Sequence, residues 1–168
     1  MSLSTVLQTL RISSPFVFQS PGDLGDSEFH LVLRETVPAM SGRAPAYRFE
    51  MRRRTDQCRL GRIELRIGET HDLLFYTGHI GYRVEPAQRG HRYAARSCRM
   101  LAPFFQKHGF SELWITCDPD NAASRRTCEL AGGIFEGIVP LPKHHIFYKA
   151  GSREKCRFRI PLGAEATG

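Results

Sequence analysis

The sequence predicts a mixed α/β (α+β) domain with a central, largely antiparallel sheet of six to seven strands flanked by helices. Three observations point there. Four short runs in the first half alternate apolar with polar residues, the period changes to a helical one after Pro86, and the remainder reads helix, strand, helix, strand, strand. At 168 residues, 41% hydrophobic and 24% charged, the chain is long enough for one core and near the globular average.

Residues 1–27 carry Ser, Gly and Pro without a sustained period and read as an N-terminal arm. A single domain is expected over 28–162, and a tail over 163–168. Phe29 to Val37 reads as a strand stopped by Pro38, with a turn at Gly42 and Pro45. Tyr47 to Arg52 and Leu60 to Ile67 alternate with period two, and His79 to Glu85 supplies a fourth strand ended by Pro86. Short connections make these four an antiparallel meander.

Tyr93 to His108 places Ala94, Ala95, Cys98, Leu101, Ala102 and Phe105 at helical spacing before Gly109, with Pro103 a point for a kink or an early end. Leu113 to Cys117 reads as a buried strand, Asn121 to Ala131 as a second helix stopped by Gly132-Gly133, and Ile134 to Val139 and Cys156 to Ile160 as the last strands. The crossover through the first helix is expected to set its flanking strands side by side in parallel.

No apolar stretch approaches the roughly 20 residues of a membrane span, and Met1 to Phe16 lacks the apolar run of a secretory signal, so the cytoplasm is the expected location. Five cysteines at wide spacing form neither a disulfide framework nor a zinc pattern, and the adjacent His144-His145 has no carboxylate or thiol completing a set, so no metal is expected. A net charge of +7 suits nucleic acid, acidic protein or a phosphorylated small molecule alike.

The segment after Val84-Glu85-Pro86 carries the chemistry. A strand, a basic turn containing Gly90 and then a helix start make an anion site, because unpaired N–H groups and the helix dipole face the turn. Arg89 and Arg92 add forked cationic donors suited to phosphate. Further on, Asp118 or Asp120 can cap a helix from whose first turn Asn121 presents an amide.

These residues resemble the GNAT superfamily of acyltransferases. Arg89-Gly90-His91-Arg92-Tyr93-Ala94 is similar to the family's phosphate loop Q/R-x-x-G-x-G/A, with Arg92 where glycine is usual; Asn121-Ala122-Ala123-Ser124 resembles its N-x-x-S helix. The runs Gly78 to Pro86 and Lys155 to Ile160 resemble a bacterial branch similar to ribosomal-protein-alanine acetyltransferases.

The resemblance implies a fold with a splayed parallel strand pair, acetyl-CoA as cofactor, and direct acetyl transfer to an amine in a ternary complex. It places the cofactor on Tyr82, Arg83, Val84, Arg89, Gly90, His91, Arg92, Tyr93, Ala94, Asn121 and Ser124. The acceptor would be a small-molecule or peptide amine.

Glu64 and His79 lead the candidates for general base, ahead of Glu69 and Glu85, since a raised carboxyl pKa or an imidazole would serve. Cys128 stands seven residues after Asn121, where relatives place a tyrosine acid, and joins Glu64 and His79 as a catalytic candidate. Two other readings stay open: a catalytically silent acyl-CoA-binding or regulatory domain, and a nucleic-acid binder using Arg52-Arg53-Arg54, Arg59, Arg62 and Arg66. The scarcity of interleaved aromatics weighs against the latter. Pairing with a second copy through Tyr47 to Ile67 is also open.

Overall fold

Alternation in the first half becomes a meander in the computed structural model, which describes residues 15–163. Strands β1 (Leu24–Gly25), β2 (Phe29–Val37), β3 (Ala46–Arg53), β4 (Arg59–Arg66) and β5 (Ile80–Val84) pair in that order, each antiparallel to the next. Tyr47, Phe49 and Met51 of β3 and Ile63 and Leu65 of β4 turn to one face and are buried; Arg48, Glu50, Arg62 and Glu64 turn to the other.

Helix α1 (Tyr93–Gln106) covers the apolar face with Leu101, Phe104 and Phe105, all buried. Phe104 meets Tyr47 edge to face at 5.0 Å, and Tyr93 meets Phe29 likewise. Pro103 lies inside the helix, which continues to Gln106.

A second sheet holds β6 (Glu112–Cys117), β7 (Ile134–Pro140) and β8 (Glu154–Pro161) in the order β6-β8-β7, also antiparallel. Helix α2 (Ala122–Leu130) links β6 to β7, and a single turn, α3 (Ile146–Lys149), lies between β7 and β8.

The expected class stands, with two refinements. There are eight strands among the described residues rather than six to seven, because β1 is only two residues long and leaves no periodic trace. The crossover strands β5 and β6 share no ladder: the sheets meet where His79 N–H donates to Trp114 C=O at 2.8 Å. Gly78 permits that junction, since its φ is 72° and a Cβ there would come within 3.1 Å of the Thr116 nitrogen.

Residues 1–14 of the expected arm and 164–168 of the expected tail lie outside the described residues. Phe16 and Phe18 pack against the core, and Gln19 N–H donates to the Tyr47 hydroxyl at 2.7 Å. No helix among the described residues is long and apolar enough to cross a membrane.

Candidate active site

Where β5 and β6 part, a groove of about 820 Å³ opens. One bank is β5, the turn after it and the start of α1; the other is the end of β6 and the start of α2. All eleven residues expected at the cofactor line it: Tyr82, Arg83, Val84, Arg89, Gly90, His91, Arg92, Tyr93, Ala94, Asn121 and Ser124.

The head of α1 is built to receive an anion. Arg92 precedes the helix with φ 60° and ψ 25°, no side chain caps the helix, and its first turn contains no acid. The N–H groups of Tyr93, Ala94 and Ala95 have no partner among the described residues. Left-handed backbone explains why glycine is usual at position 92. An arginine there stores about 1–2 kcal/mol of backbone strain. Gly90 has φ 91°, and a Cβ at it would meet nothing within 4 Å, so the turn leaves free space over the helix start. Open N–H donors, the positive helix end and the cations of Arg89 and Arg92 fit the pyrophosphate of a CoA-type cofactor.

Opposite, Asn121 caps α2, its Oδ1 accepting the Ser124 N–H at 3.0 Å. The amide nitrogen of Asn121 is left to the groove. Between the banks the Tyr82 hydroxyl hydrogen-bonds the Ser124 Oγ at 2.8 Å. Burial pushes the Tyr82 phenol up to about 12, so it stays protonated across any working pH.

The three catalytic candidates stand elsewhere, and each is corrected by its surroundings. His79 is 1% exposed and does not line the groove. Its Nδ1 accepts the Trp114 N–H at 2.9 Å, which puts the proton on Nε2 facing the Gly68 carbonyl, also at 2.9 Å. Burial lowers its pKa to about 4, so this imidazole is a neutral structural pin at the junction of the sheets.

Glu64 lies on the outer face of the sheet, 2.6 Å from Arg48 and 2.9 Å from Arg66. Burial alone would raise its pKa, but the two arginines outweigh it and hold the carboxyl below its usual range, the opposite of what a base needs. Cys128 is fully buried on the inner face of α2, where contact with Cys117 together with burial pushes its thiol up, and it does not line the groove, so it cannot serve as an acid there. Of the secondary candidates, Glu85 is paired with Arg59 at 2.8 Å and Glu69 lines a separate, smaller cavity.

The far end of the groove was not legible as a site. There Asp118, the one carboxylate in the lining among the described residues, accepts from Lys155 at 2.6 Å and from the Ser152 hydroxyl. Burial works against the Asp118 charge, yet these partners keep it ionised at lower pH than usual. Phe147 of α3 lies 4.4 Å from the Lys155 ammonium. The one sequence signal was Lys155, a cation at a buried strand position.

No curated protein sequence gives a match. Among solved structures, a ribosomal L7/L12 alpha-N-protein acetyltransferase in complex with coenzyme A superposes with a TM-score of 0.62 at 12% identity, over 86% of this chain and 100% of the other. A ribosomal-protein-S5-alanine acetyltransferase from Vibrio fischeri gives 0.54 at 18% identity, over 69% of this chain and 61% of that one. The microcin C7 self-immunity acetyltransferase MccE, in complex with acetyl-CoA and AMP, gives 0.55 at 19%, over 70% and 61%. These likenesses concern the fold. Residues 13–134 match the family profile described as an acetyltransferase (GNAT) domain, and with the open helix start, its basic turn and the splayed strands in place, the chain belongs to the GNAT family of acetyltransferases, whose acyl donor is acetyl-CoA.

Proposed function

We propose that the protein transfers the acetyl group of acetyl-CoA directly to an amine nitrogen, with both reactants bound in the groove between β5 and β6. The single observation that carries the reading is the uncapped start of α1 beside Gly90 and two arginines, opening into a groove that continues to the splay. When bound, the cofactor supplies an activated thioester. The α1 N–H groups, Arg89 and Arg92 would hold its pyrophosphate, and the Asn121 amide and the backbone of Tyr82 to Val84 would align its arm.

A backbone N–H on the free edge of β5 would donate to the thioester carbonyl oxygen and stabilise the charge that develops there. The Tyr82 phenol, held by Ser124, would give its proton to the departing sulfur as the C–S bond breaks and recover one from the nitrogen that has gained the acetyl group. Asp118 is committed to Lys155 and Ser152, and His91, the imidazole in the lining, belongs to the turn assigned to the pyrophosphate, so neither is assigned as the base at the reacting amine. The acceptor therefore enters as its neutral amine, and the rate should rise with pH until the acceptor's own pKa is passed, near 8 for an α-amine and about 10.4 for a lysine side chain.

The acceptor we favour is a peptide or protein amine, in keeping with the names of two structural neighbours, which act on ribosomal proteins. The test is thiol release from acetyl-CoA over a panel of peptides and small amines, with product mass confirming an acetylated nitrogen. Asn121→Ala and Arg89→Ala run alongside. Transfer to an amine that weakens in both variants supports the reading. Tight cofactor binding without transfer to any amine would leave a silent binding domain instead.

A further inference from the structure

The outer face of the five-stranded sheet is a field of paired charges with one gap. Arg34 and Arg52 bind Glu50, Arg48 binds Glu35 and Glu64, Arg59 binds Glu85 and Arg66 binds Glu64. Arg62 of β4 and Arg83 of β5 face the same way, are direct register partners, and are both exposed. Neither makes an ion pair or side-chain hydrogen bond among the described residues. Like charges directly opposite each other on neighbouring strands oppose folding. Every neighbouring arginine on this face has a carboxylate, so the lone pair stands out as a site kept for an outside anion.

Its position says which anion. Arg83 and Arg66 also line the groove, which therefore reaches this face as well as the α1 side. Gly81 lies between them with no side chain of its own, and the Arg66 guanidinium occupies the space above it, 2.9 Å from where a Cβ would be. Arg83 is two residues along β5 from Gly81, a rise of about 7 Å, and Arg62 is on the adjoining strand about 5 Å further. An extended chain whose amine sits in the splay would bring its next two to four residues across this pair.

We propose that the acceptor is a peptide or protein segment carrying Asp or Glu within about four residues of the acetylated amine, its carboxylate held by Arg62 and Arg83. The inference rests on the amine-acetylation reading above and supplies its acceptor class. A nucleic acid fits less well. A continuous phosphate track over this face would meet Glu50, Glu64 and Glu85 between the arginines, whereas a segment with one or two carboxylates fills the gap alone.

The experiment uses the full chain with acetyl-CoA and peptides of one length that differ only at residues two to four: acidic, amide or lysine. Transfer is read by product mass, and binding of the labelled peptides by anisotropy with CoA present. The acidic series should show about tenfold higher kcat/KM than the amide series at low salt, converging as ionic strength approaches 1 M and the screening length shrinks to about 3 Å. Arg62→Ala should remove most of that preference through KM, and Arg62→Glu should reverse it toward the lysine series.

Acidic and amide peptides acetylated equally well would overturn the proposal, as would a preference that survives Arg62→Ala. An RNA oligomer that displaces the acidic peptide at equal charge concentration would also overturn it, in favour of a phosphate-binding face. If no amine is acetylated but acidic peptides bind in an Arg62-dependent way, the acceptor surface stands and the transfer reading falls. Loss of acetyl-CoA affinity in Arg83→Ala, with no effect of Arg62→Ala on peptides, would assign Arg83 to the cofactor and end the proposal.

Discussion

Helices α1 and α2 begin on opposite banks of one groove, yet they treat their first N–H groups in opposite ways. At α2 two of the first three donors are satisfied from within, Ala122 N–H by the Asp120 carbonyl at 3.1 Å and Ser124 N–H by Asn121 Oδ1 at 3.0 Å. At α1 nothing caps the helix, the residue before it is an arginine in left-handed conformation, and the turn is basic. A helix head without a partner costs stability in the free protein. On the proposed reading the difference assigns the ligand's anionic part to α1, whose donors are open, while α2 would lend only an amide edge and a hydroxyl.

The sharpest way to break the contrast is to take both cations from α1. Arg89→Ala with Arg92→Ala removes two charge-assisted phosphate contacts of about 1.5–3 kcal/mol each, so acetyl-CoA should bind roughly a hundredfold or more weaker by calorimetry. Unchanged affinity would mean that the groove holds its ligand some other way.

Next in size is the pin at the junction of the two sheets. His79 is neutral in the fold with its pKa lowered from 6.5 to about 4, whereas the unfolded chain takes up a proton near 6.5. The unfolded state therefore binds more protons in that window, and stability should fall as pH drops from about 6.5 toward 4, by up to about 3 kcal/mol. Urea unfolding across that range would show it, and His79→Gln should flatten the slope.

Tyr82 joins the two banks through Ser124, and Tyr82→Phe keeps the ring while deleting the proton. A fall in kcat of about a hundredfold with acetyl-CoA affinity retained is expected if the phenol serves the leaving sulfur. A change in KM alone would reduce it to a binding group.

Arg92→Gly separates backbone from charge at α1. Glycine accepts a φ of 60° without strain, so the variant should be more stable by about 1 kcal/mol in thermal unfolding. It should nevertheless bind acetyl-CoA about tenfold more weakly, because the guanidinium is gone. Tighter binding would show that the side chain merely obstructs the turn.

The same contrast explains what the sequence could disclose. The meander was legible because each of β2 to β5 has one wet and one dry face, and α1 because its apolar residues recur with helical spacing. The basic turn was legible because a helix start, a glycine and two arginines are contiguous in the chain. His79 and Glu64 misled for one reason: a sequence shows that a group can titrate, but not what stands beside it. Trp114 N–H and Gly68 C=O reach His79, and Arg48 reaches Glu64, from other segments of the chain, while Arg66 folds back onto Glu64 from two residues along the same strand. The Asp118–Lys155 pair was hidden likewise, joining residues 37 apart in sequence, and the break between the sheets is a tertiary event with no local pattern.

The smallest effect tests α2. If Asn121 only caps, Asn121→Ala should lower stability by about 1 kcal/mol and leave acetyl-CoA affinity untouched. If its amide also meets the cofactor's arm, stability falls by the same amount and affinity falls severalfold besides. Asn121→Asp divides the two roles, since a carboxylate accepts the Ser124 N–H as well as the amide oxygen does but has no N–H to donate. Restored thermal stability together with persistently weak binding would show that one side chain serves both helix and ligand, whereas recovery of both would confine Asn121 to the helix.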